Sequence, residues 1–259
     1  MVQTPDDVRR IAQLLWHGGG DDGASRRGPR QRTSVAAVVQ AAIALADEHG
    51  LAQLSMRTLA AQVGLKPMGL YTYVPNREAL IALMVDAAAA EDDDLLAADG
   101  SGPELAEALR SIADQYRDEL LRHPWLLDVP AWRPIPGPGS SRRYEQQLAV
   151  LSTAAERSGP AFDDIGLDAV IASLRAFATG NARSRIDQVA TRADSGMTDA
   201  QWWEIAGPLL AEAMSADVYP VSMRVGATVG EAFAGPGNAD HAYEYGLARL
   251  IDGIVADRR

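Results

Sequence analysis

The chain has 259 residues, 47% of them hydrophobic, and a formal net charge of −11. It contains no cysteine, which excludes disulfides, thiol catalysis and cysteine-ligated metal. The sequence has no apolar run of about 18 residues that would predict a membrane span. The polar N-terminus, MVQTPDDVRR, lacks a signal-peptide core, so we expect a cytoplasmic protein.

Charge is distributed unevenly along the chain. Between Gly23 and Leu80, seven basic residues outnumber three acidic ones, which gives this segment a net charge of +4. From Glu91 onward the net charge is −12. A basic N-terminal segment on an acidic body suits local binding of a polyanion. A chance fluctuation in charge is the alternative.

Helical patterns dominate the sequence, and strand-like alternation is scarce. Residues 5–16 predict a short amphipathic helix, and the Gly-rich, charged residues 17–32 predict a flexible linker. A helix over 34–49 carries an apolar stripe and ends at Gly50. A Pro/Gly loop is predicted at 130–140, and further helices approximately over 103–122, 140–158, 163–190, 198–214 and 240–257.

The stretch LAAQVGLKPMGLYTYVPNREAL predicts several short helices instead of one long one, because Gly and Pro are costly inside a helix. Ser55 caps a first short helix. A second helix runs from Pro67 to about Tyr73 after a glycine turn. Asn76 caps a third helix that extends to residue 94. Two short helices joined by a glycine turn predict a helix-turn-helix.

The second helix of such a motif presents its outward side chains to the DNA major groove. Leu65, Leu70 and Val74 are expected to face the core. The residues expected to contact bases or phosphates are Arg57, Lys66, Met68, Gly69, Tyr71, Thr72, Tyr73 and Arg77. A basic arm before the first helix would follow phosphates or enter the minor groove through Arg26, Arg27, Arg30 and Arg32. The alternatives are a helical hairpin with surface tyrosines and a solubilising linker.

Residues 41–84 closely resemble the N-terminal domain of TetR-type transcriptional regulators. The resemblance rests on Gly50, Leu54, Ser55, Arg57, Leu59, Ala60, Val63, Gly64, Leu70, Tyr71, Tyr73, Val74, Asn76, Arg77 and Leu80. The segments LRSIADQYRDELLRHPWLLDV, YEQQLAVL, FATG and YEYGLARLIDGI resemble, more weakly, the ligand-binding and dimerisation domain of the TetR class.

The resemblance implies an all-α homodimer. An N-terminal extension with a basic arm (1–32) would precede a three-helix helix-turn-helix DNA-binding head (33–80) on a larger helical ligand-binding and dimerisation body (81–259). Two long helices of each subunit, about 163–190 and 240–257, would form an intersubunit four-helix bundle. The apolar face formed by Leu247, Leu250, Ile251 and Ile254 fits that bundle, and packing within one subunit is the alternative.

The resemblance also implies a small molecule that enters the body and moves the two heads apart. Positions matching the ligand pocket of the family are Asp93, Ile112, Tyr116, Pro130, Arg133, Gln147, Ile171 and Arg175. Only Gln147 keeps a residue type that holds tetracycline. Pro130 replaces the magnesium-binding histidine, and Asp93 and Ile112 replace drug-contacting polar residues, so we expect neither a metal nor tetracycline. Trp125, Trp132 and Phe177 would add aromatic walls for a flat polycyclic molecule, or are ordinary core residues.

The four histidines have no metal-ligand spacing, and no phosphate-binding loop or nucleophile elbow is present. We therefore expect no cofactor and no enzymatic activity. The leading interpretation is a repressor released from a palindromic operator by a small hydrophobic or aromatic effector. The alternative is a DNA-binding regulator without such an effector, controlled by a protein partner or acting as an activator. A buried cavity favours the first and a filled core the second, while a helical enzyme would need a polar constellation that the sequence lacks.

Overall fold

The computed structural model describes residues 4–17, 33–91, 104–130, 133–158 and 162–256. Within these residues the chain is all-α, as predicted, with a 3-10 helix at Pro124–Asp128 and no β-strand. The α-helices are α1 Pro5–His17, α2 Val35–His49, α3 Met56–Gln62, α4 Pro67–Leu70, α5 Arg77–Ala89, α6 Leu105–Arg122, α7 Pro138–Ser158, α8 Asp164–Ser195, α9 Asp199–Ala213, α10 Pro220–Phe233 and α11 Ala239–Ala256. None of the helices in this part of the chain combines the length and apolarity needed to span a bilayer.

Local capping sets the boundaries of the head, which comprises α2, α3 and α4. The Ser34 hydroxyl accepts a hydrogen bond from the Ala37 N–H at the start of α2. Gly50 follows α2 with φ 79°, a conformation that favours glycine. The Ser55 hydroxyl and the Thr58 side chain form a reciprocal capping box at the start of α3. Of these features, the Ser55 cap and the helix end at Gly50 are the ones that the sequence predicts.

The second helix of the motif is shorter than predicted. It ends at Leu70 instead of about Tyr73. The Thr72 N–H donates to the Gly69 carbonyl and the Tyr73 N–H to the Leu70 carbonyl, so residues 71–73 form a tight turn. Pro75 then disfavours the helical conformation of the residue before it. The third predicted helix, α5, is also shorter and ends at Ala89.

One hydrophobic cluster joins the head to α1 and α5. Leu59, Leu70, Val74 and Leu80 are fully buried in it. Leu65 is half-buried against the same cluster, so all three predicted core residues of the motif face inward. The apolar core of the head therefore also includes residues of α5, the helix that leads into the body.

A second cluster forms the core of the body, where α6, α8 and α11 pack together and α7 lies against α5 and α6. Leu247 and Ile251 of α11 are buried inside this one-subunit core, and Leu250 and Ile254 pack partly against it. Two of the four residues of this face are therefore covered within one subunit, and Leu250 and Ile254 stay partly exposed, so the intersubunit bundle stays a prediction. The helix α8 continues five residues beyond its predicted end, to Gly196 in the left-handed conformation.

The helices α9 and α10 pack against each other beyond the far end of α8. The helix α10 was not predicted, because Pro220 and two glycines within it weaken its helical pattern. Gly230 is needed there: a Cβ at this position would lie 2.3 Å from the Trp203 Nε1 atom. Large apolar side chains of this pair are exposed in the single subunit: Trp202, Ile205, Leu209, Leu210, Val221 and Val225.

Candidate DNA-binding surface and effector cavity

The residues predicted to read DNA form one exposed surface of the head, with two exceptions described below. Arg57, Lys66, Met68, Tyr71 and Thr72 are all exposed, and the Met68 side chain is 79% exposed. Gly69 is half-exposed, and a Cβ built on it meets no atom within 4 Å. This surface consists of a short helix end, a tight turn and the first turn of α3. Arg57 and Lys66 place two cations on it.

Tyr73 and Arg77 depart from the predicted surface. Tyr73 is half-buried and packs against the head core. The guanidinium group of Arg77 donates from Nε to the Leu54 carbonyl at 3.1 Å and from Nη2 to the Leu51 carbonyl at 2.7 Å. Arg77 therefore ties α5 to the loop between α2 and α3, and this placement corrects the predicted phosphate contact. The arm residues Arg26, Arg27, Arg30 and Arg32 lie outside the described residues.

A cavity of about 920 Å³ lies between the head and the body, and we call it the junction cavity. Its walls come from α1, α5, α6, α8, the start of α7 and the segment 126–135, together with Leu51 from the loop after α2 of the head. The apolar part of its lining includes Val8, Ile11, Ile81, Val85, Leu120, Leu126 and Ile135. A mostly apolar cavity of this size with a few polar groups is typical of a small-molecule site.

A buried polar chain forms the α6–α7 wall of the junction cavity. The Glu119 carboxylate pairs with Arg143 at 2.6 Å, and the Arg143 guanidinium lies 5.1 Å from the centre of the Tyr116 ring. The Tyr116 hydroxyl donates to Gln147 Oε1 at 2.9 Å, and Gln147 Nε2 donates to Gln115 Oε1 at 2.6 Å. Burial raises the pKa of the Tyr116 hydroxyl, so this group stays a neutral donor at neutral pH.

Only part of the predicted ligand set lines the junction cavity. Tyr116, Arg133 and Arg175 do, together with Pro130. Gln147 lies fully buried behind Tyr116, and Ile112 and Ile171 belong to the body core, so these three predicted residues do not line the junction cavity. Asp93 and Trp132 lie outside the described residues.

The predicted aromatic walls are also absent from this cavity. Trp125 is buried in the head cluster, and Phe177 stacks on Tyr243 with 5.6 Å between the ring centres. Neither residue is among those that line the cavity. Sequence matching missed Val8, Ile11, Arg77, Glu119, Arg143, Thr179 and Arg183 because they come from segments far apart in the chain. The spacing of α8 offered one usable signal, since Arg175, Thr179 and Arg183 recur every four residues on one helix face.

A buried histidine connects the head to the body close to the cavity. His123, between α6 and the 3-10 helix, lies with Nδ1 2.8 Å from Asp47 Oδ1 of α2 and Nε2 3.0 Å from Glu91 Oε2. The Trp125 indole N–H donates to the same Asp47 oxygen at 2.8 Å. Burial disfavours a charged imidazole, but hydrogen bonds to the two carboxylates outweigh it, and the pKa of His123 is raised. We call these four residues the head–body clasp.

The fold and these two sites define a class: a helix-turn-helix DNA-binding protein whose head is joined to a helical body with a cavity at the junction. Residues 38–84 match the family model described as "Bacterial regulatory proteins, tetR family", and residues 98–258 match the model "Tetracyclin repressor-like, C-terminal domain". The chain belongs to the TetR family of transcriptional regulators. This membership confirms the predicted class, a DNA-binding regulator with a ligand-binding C-terminal domain.

Relatives of the chain include curated proteins and solved structures. The HTH-type transcriptional repressor DrrR1 of Streptomyces coeruleorubidus is 34% identical over 256 residues, which cover 98% of this chain and 88% of that protein. An HTH-type transcriptional regulator of Saccharopolyspora erythraea is 32% identical over 45% of this chain and 48% of its own length. The TetR family protein ActR of Streptomyces coelicolor, in complex with (S)-DNPA, superposes with a TM-score of 0.67 at 23% identity, covering 87% of this chain and 98% of that one. The ActR comparison shows the shared fold.

Proposed function

We propose that the chain is a ligand-responsive repressor that leaves a palindromic operator when a small aromatic or hydrophobic effector fills the junction cavity. The observation that carries this proposal is the cavity itself, because its lining includes Leu51, in the loop that follows α2 of the head, as well as residues of α6 and α8 in the body. A molecule bound between them contacts α5, which starts at the head, and α8, which belongs to the body core. Occupancy therefore favours one relative placement of head and body over others.

The chemistry of the lining supports a flat, mostly apolar effector with a polar edge. Aliphatic side chains of α1, α5 and the 3-10 segment line the cavity together with the polar groups of Tyr116, Arg175 and Thr179. ActR has been solved in complex with (S)-DNPA and with actinorhodin, and DrrR1 is a transcriptional repressor. These relatives support a repressor with a small-molecule effector. The cavity also weighs against the alternative without an effector, for which we expected a filled core.

A homodimer is part of the proposal. Every residue of α9 is at least partly exposed in the single subunit, and large apolar side chains of α9 and α10 face outward. Contiguous exposed apolar surface of this kind marks a protein–protein contact. Two heads related by two-fold symmetry would read half-sites about one helical turn apart, or a multiple of that distance. Such a regulator works where the bacterial DNA lies, in the cytoplasm.

The direct test is selection of duplexes from a random library with the purified protein, followed by anisotropy titration of the selected DNA. We expect a palindromic sequence bound by two subunits, and release by planar polycyclic compounds. Lys66→Ala should weaken every selected duplex equally, because a lysine contacting phosphate carries no sequence information. A chain that selects no sequence, or that stays monomeric on DNA, would refute the proposal.

A further inference from the structure

The helix α1 lies outside both family domains but inside the effector site. The matched ranges start at residues 38 and 98, whereas α1 spans Pro5–His17. Two of its residues, Val8 and Ile11, line the junction cavity together with Ile81 and Val85 of α5. The common domains of the family therefore do not account for this wall of the cavity.

Specific contacts hold α1 in this position. Ile11 and Leu15 are 4% and 5% exposed and belong to the head cluster, where α1 packs against α5. The Trp16 indole N–H donates to the Pro136 carbonyl at 3.1 Å. Pro136 directly follows Ile135, which lines the same cavity. The helix therefore contacts two other walls of the cavity, α5 and the segment that contains Ile135.

The inner face of α1 is only partly covered. Val8, Ile11 and Leu15 recur at helical spacing on one face. The two C-terminal residues of this face are buried, but Val8 is 39% exposed and can gain cover from a ligand. A helix of 13 residues is marginal in water on its own, so α1 depends on its docking contacts for stability. A molecule that covers Val8 and Ile11 would add to those contacts.

We propose that α1 is part of the effector site, where Val8 and Ile11 contact the apolar face of an aromatic effector directly. This inference rests on the proposed function, since it assigns a further wall to the same cavity. Effector binding then stabilises the docked position of α1. By thermodynamic reciprocity, docking of α1 raises the affinity for the effector by the same factor.

The absence of cysteine from the sequence allows a direct test in the full-length protein. Val8→Cys places one thiol on the cavity wall, and Gln13→Cys places a matched thiol on the exposed side of the same helix. The rate of modification by Ellman's reagent is measured for each variant with and without 1-anilinonaphthalene-8-sulfonate, a planar aromatic probe. We expect saturating probe to slow modification of Val8→Cys at least about fivefold and to leave Gln13→Cys unchanged.

Two tryptophan variants test the same contact by occlusion. Val8→Trp and Thr179→Trp each place an indole in the cavity, one from α1 and one from α8, and each should weaken probe binding about tenfold, because the indole takes up space that the probe needs. Gln13→Trp adds the same side chain on the outside and should bind the probe like the wild type. Circular dichroism at each titration temperature shows whether a variant has kept its helical content.

The outcomes separate the two claims. If the probe binds in the cavity and Thr179→Trp blocks it, but Val8→Cys is not protected and Val8→Trp binds normally, α1 is not part of the site and the effector cavity stands. If the wild type does not bind the probe, or Thr179→Trp binds it unchanged, the cavity is not a ligand site and the proposed function fails with the inference. Protection at Val8→Cys together with weaker binding by both occluding variants supports the assignment of α1.

Discussion

Replacement of Asp47 by alanine should destabilise the connection between head and body. One oxygen of Asp47 accepts the Trp125 indole N–H and lies 2.8 Å from His123 Nδ1. Trp125 is 1% exposed and His123 is 4% exposed, so neither ring nitrogen gains full access to water when the carboxylate is removed. An unsatisfied buried donor costs about 1–3 kcal/mol. Because Asp47 itself is partly exposed, we take the lower half of that range for each donor and expect a loss of about 2–4 kcal/mol.

The assay is urea unfolding followed by circular dichroism at one fixed protein concentration, since association changes apparent stability. Glu48→Ala is the matched control. Its carboxylate is one residue away on α2 and 74% exposed, and it lies 3.6 Å from the imidazole of His49, which is itself exposed. Its loss should therefore change the free energy of unfolding by less than about 0.5 kcal/mol. If Asp47→Ala and Glu48→Ala unfold with free energies within about 0.5 kcal/mol of each other, the reasoning about the clasp is wrong.

Three further predictions concern pH, sequence reading and salt. The raised pKa of His123 means that its stabilising charge is fully present below the unfolded value of about 6.5 and is lost as pH rises through the folded value. The free energy of unfolding should therefore fall above about pH 6.5 in the wild type, whereas His123→Gln should show a flatter profile. Arg57→Ala should relax preference at one base step by about 1–3 kcal/mol in a panel of mutated operators, and an unchanged panel would show that this side chain reads no base. In the basic arm, glutamine replaces Arg26, Arg27, Arg30 and Arg32. This change should reduce the slope of log affinity against log salt concentration by about 0.9 for each phosphate contact that is lost. An unchanged slope would show that the arm is only a tether.

Local chemistry made the head predictable from the sequence. Ser55 and Asn76 cap helices because their side-chain oxygens accept free backbone N–H groups, and each cap depends on residues at most three positions away. The burial of Leu70 and Val74 was likewise predicted from the short helix-turn-helix segment alone. The end of α4 was misplaced by about one turn, because the i to i−3 hydrogen bonds after Gly69 compete closely with a longer helix.

The cavity was less predictable, because it is a product of tertiary packing. Its walls join α1 to α5 and to α8, and no local pattern states that these helices meet. Of the residues that family matching assigns to the ligand, Tyr116, Arg133 and Arg175 line this cavity, whereas Ile112 and Ile171 lie in the body core. Arg77 illustrates the same limit. A basic residue at the start of a helix suits a phosphate, but in the folded chain Arg77 donates to the backbone carbonyls of Leu51 and Leu54.

The central claim is that a ligand in the junction cavity releases the protein from DNA. The most direct measurement is fluorescence anisotropy of the selected operator, titrated with planar polycyclic compounds in the presence of wild type or Thr179→Trp. We predict that both proteins bind the operator equally tightly without compound, and that Thr179→Trp requires at least about tenfold more compound for release, because its indole occupies the ligand space. Equal release of both proteins, or compounds that bind the cavity and leave the DNA complex intact, would contradict the claim.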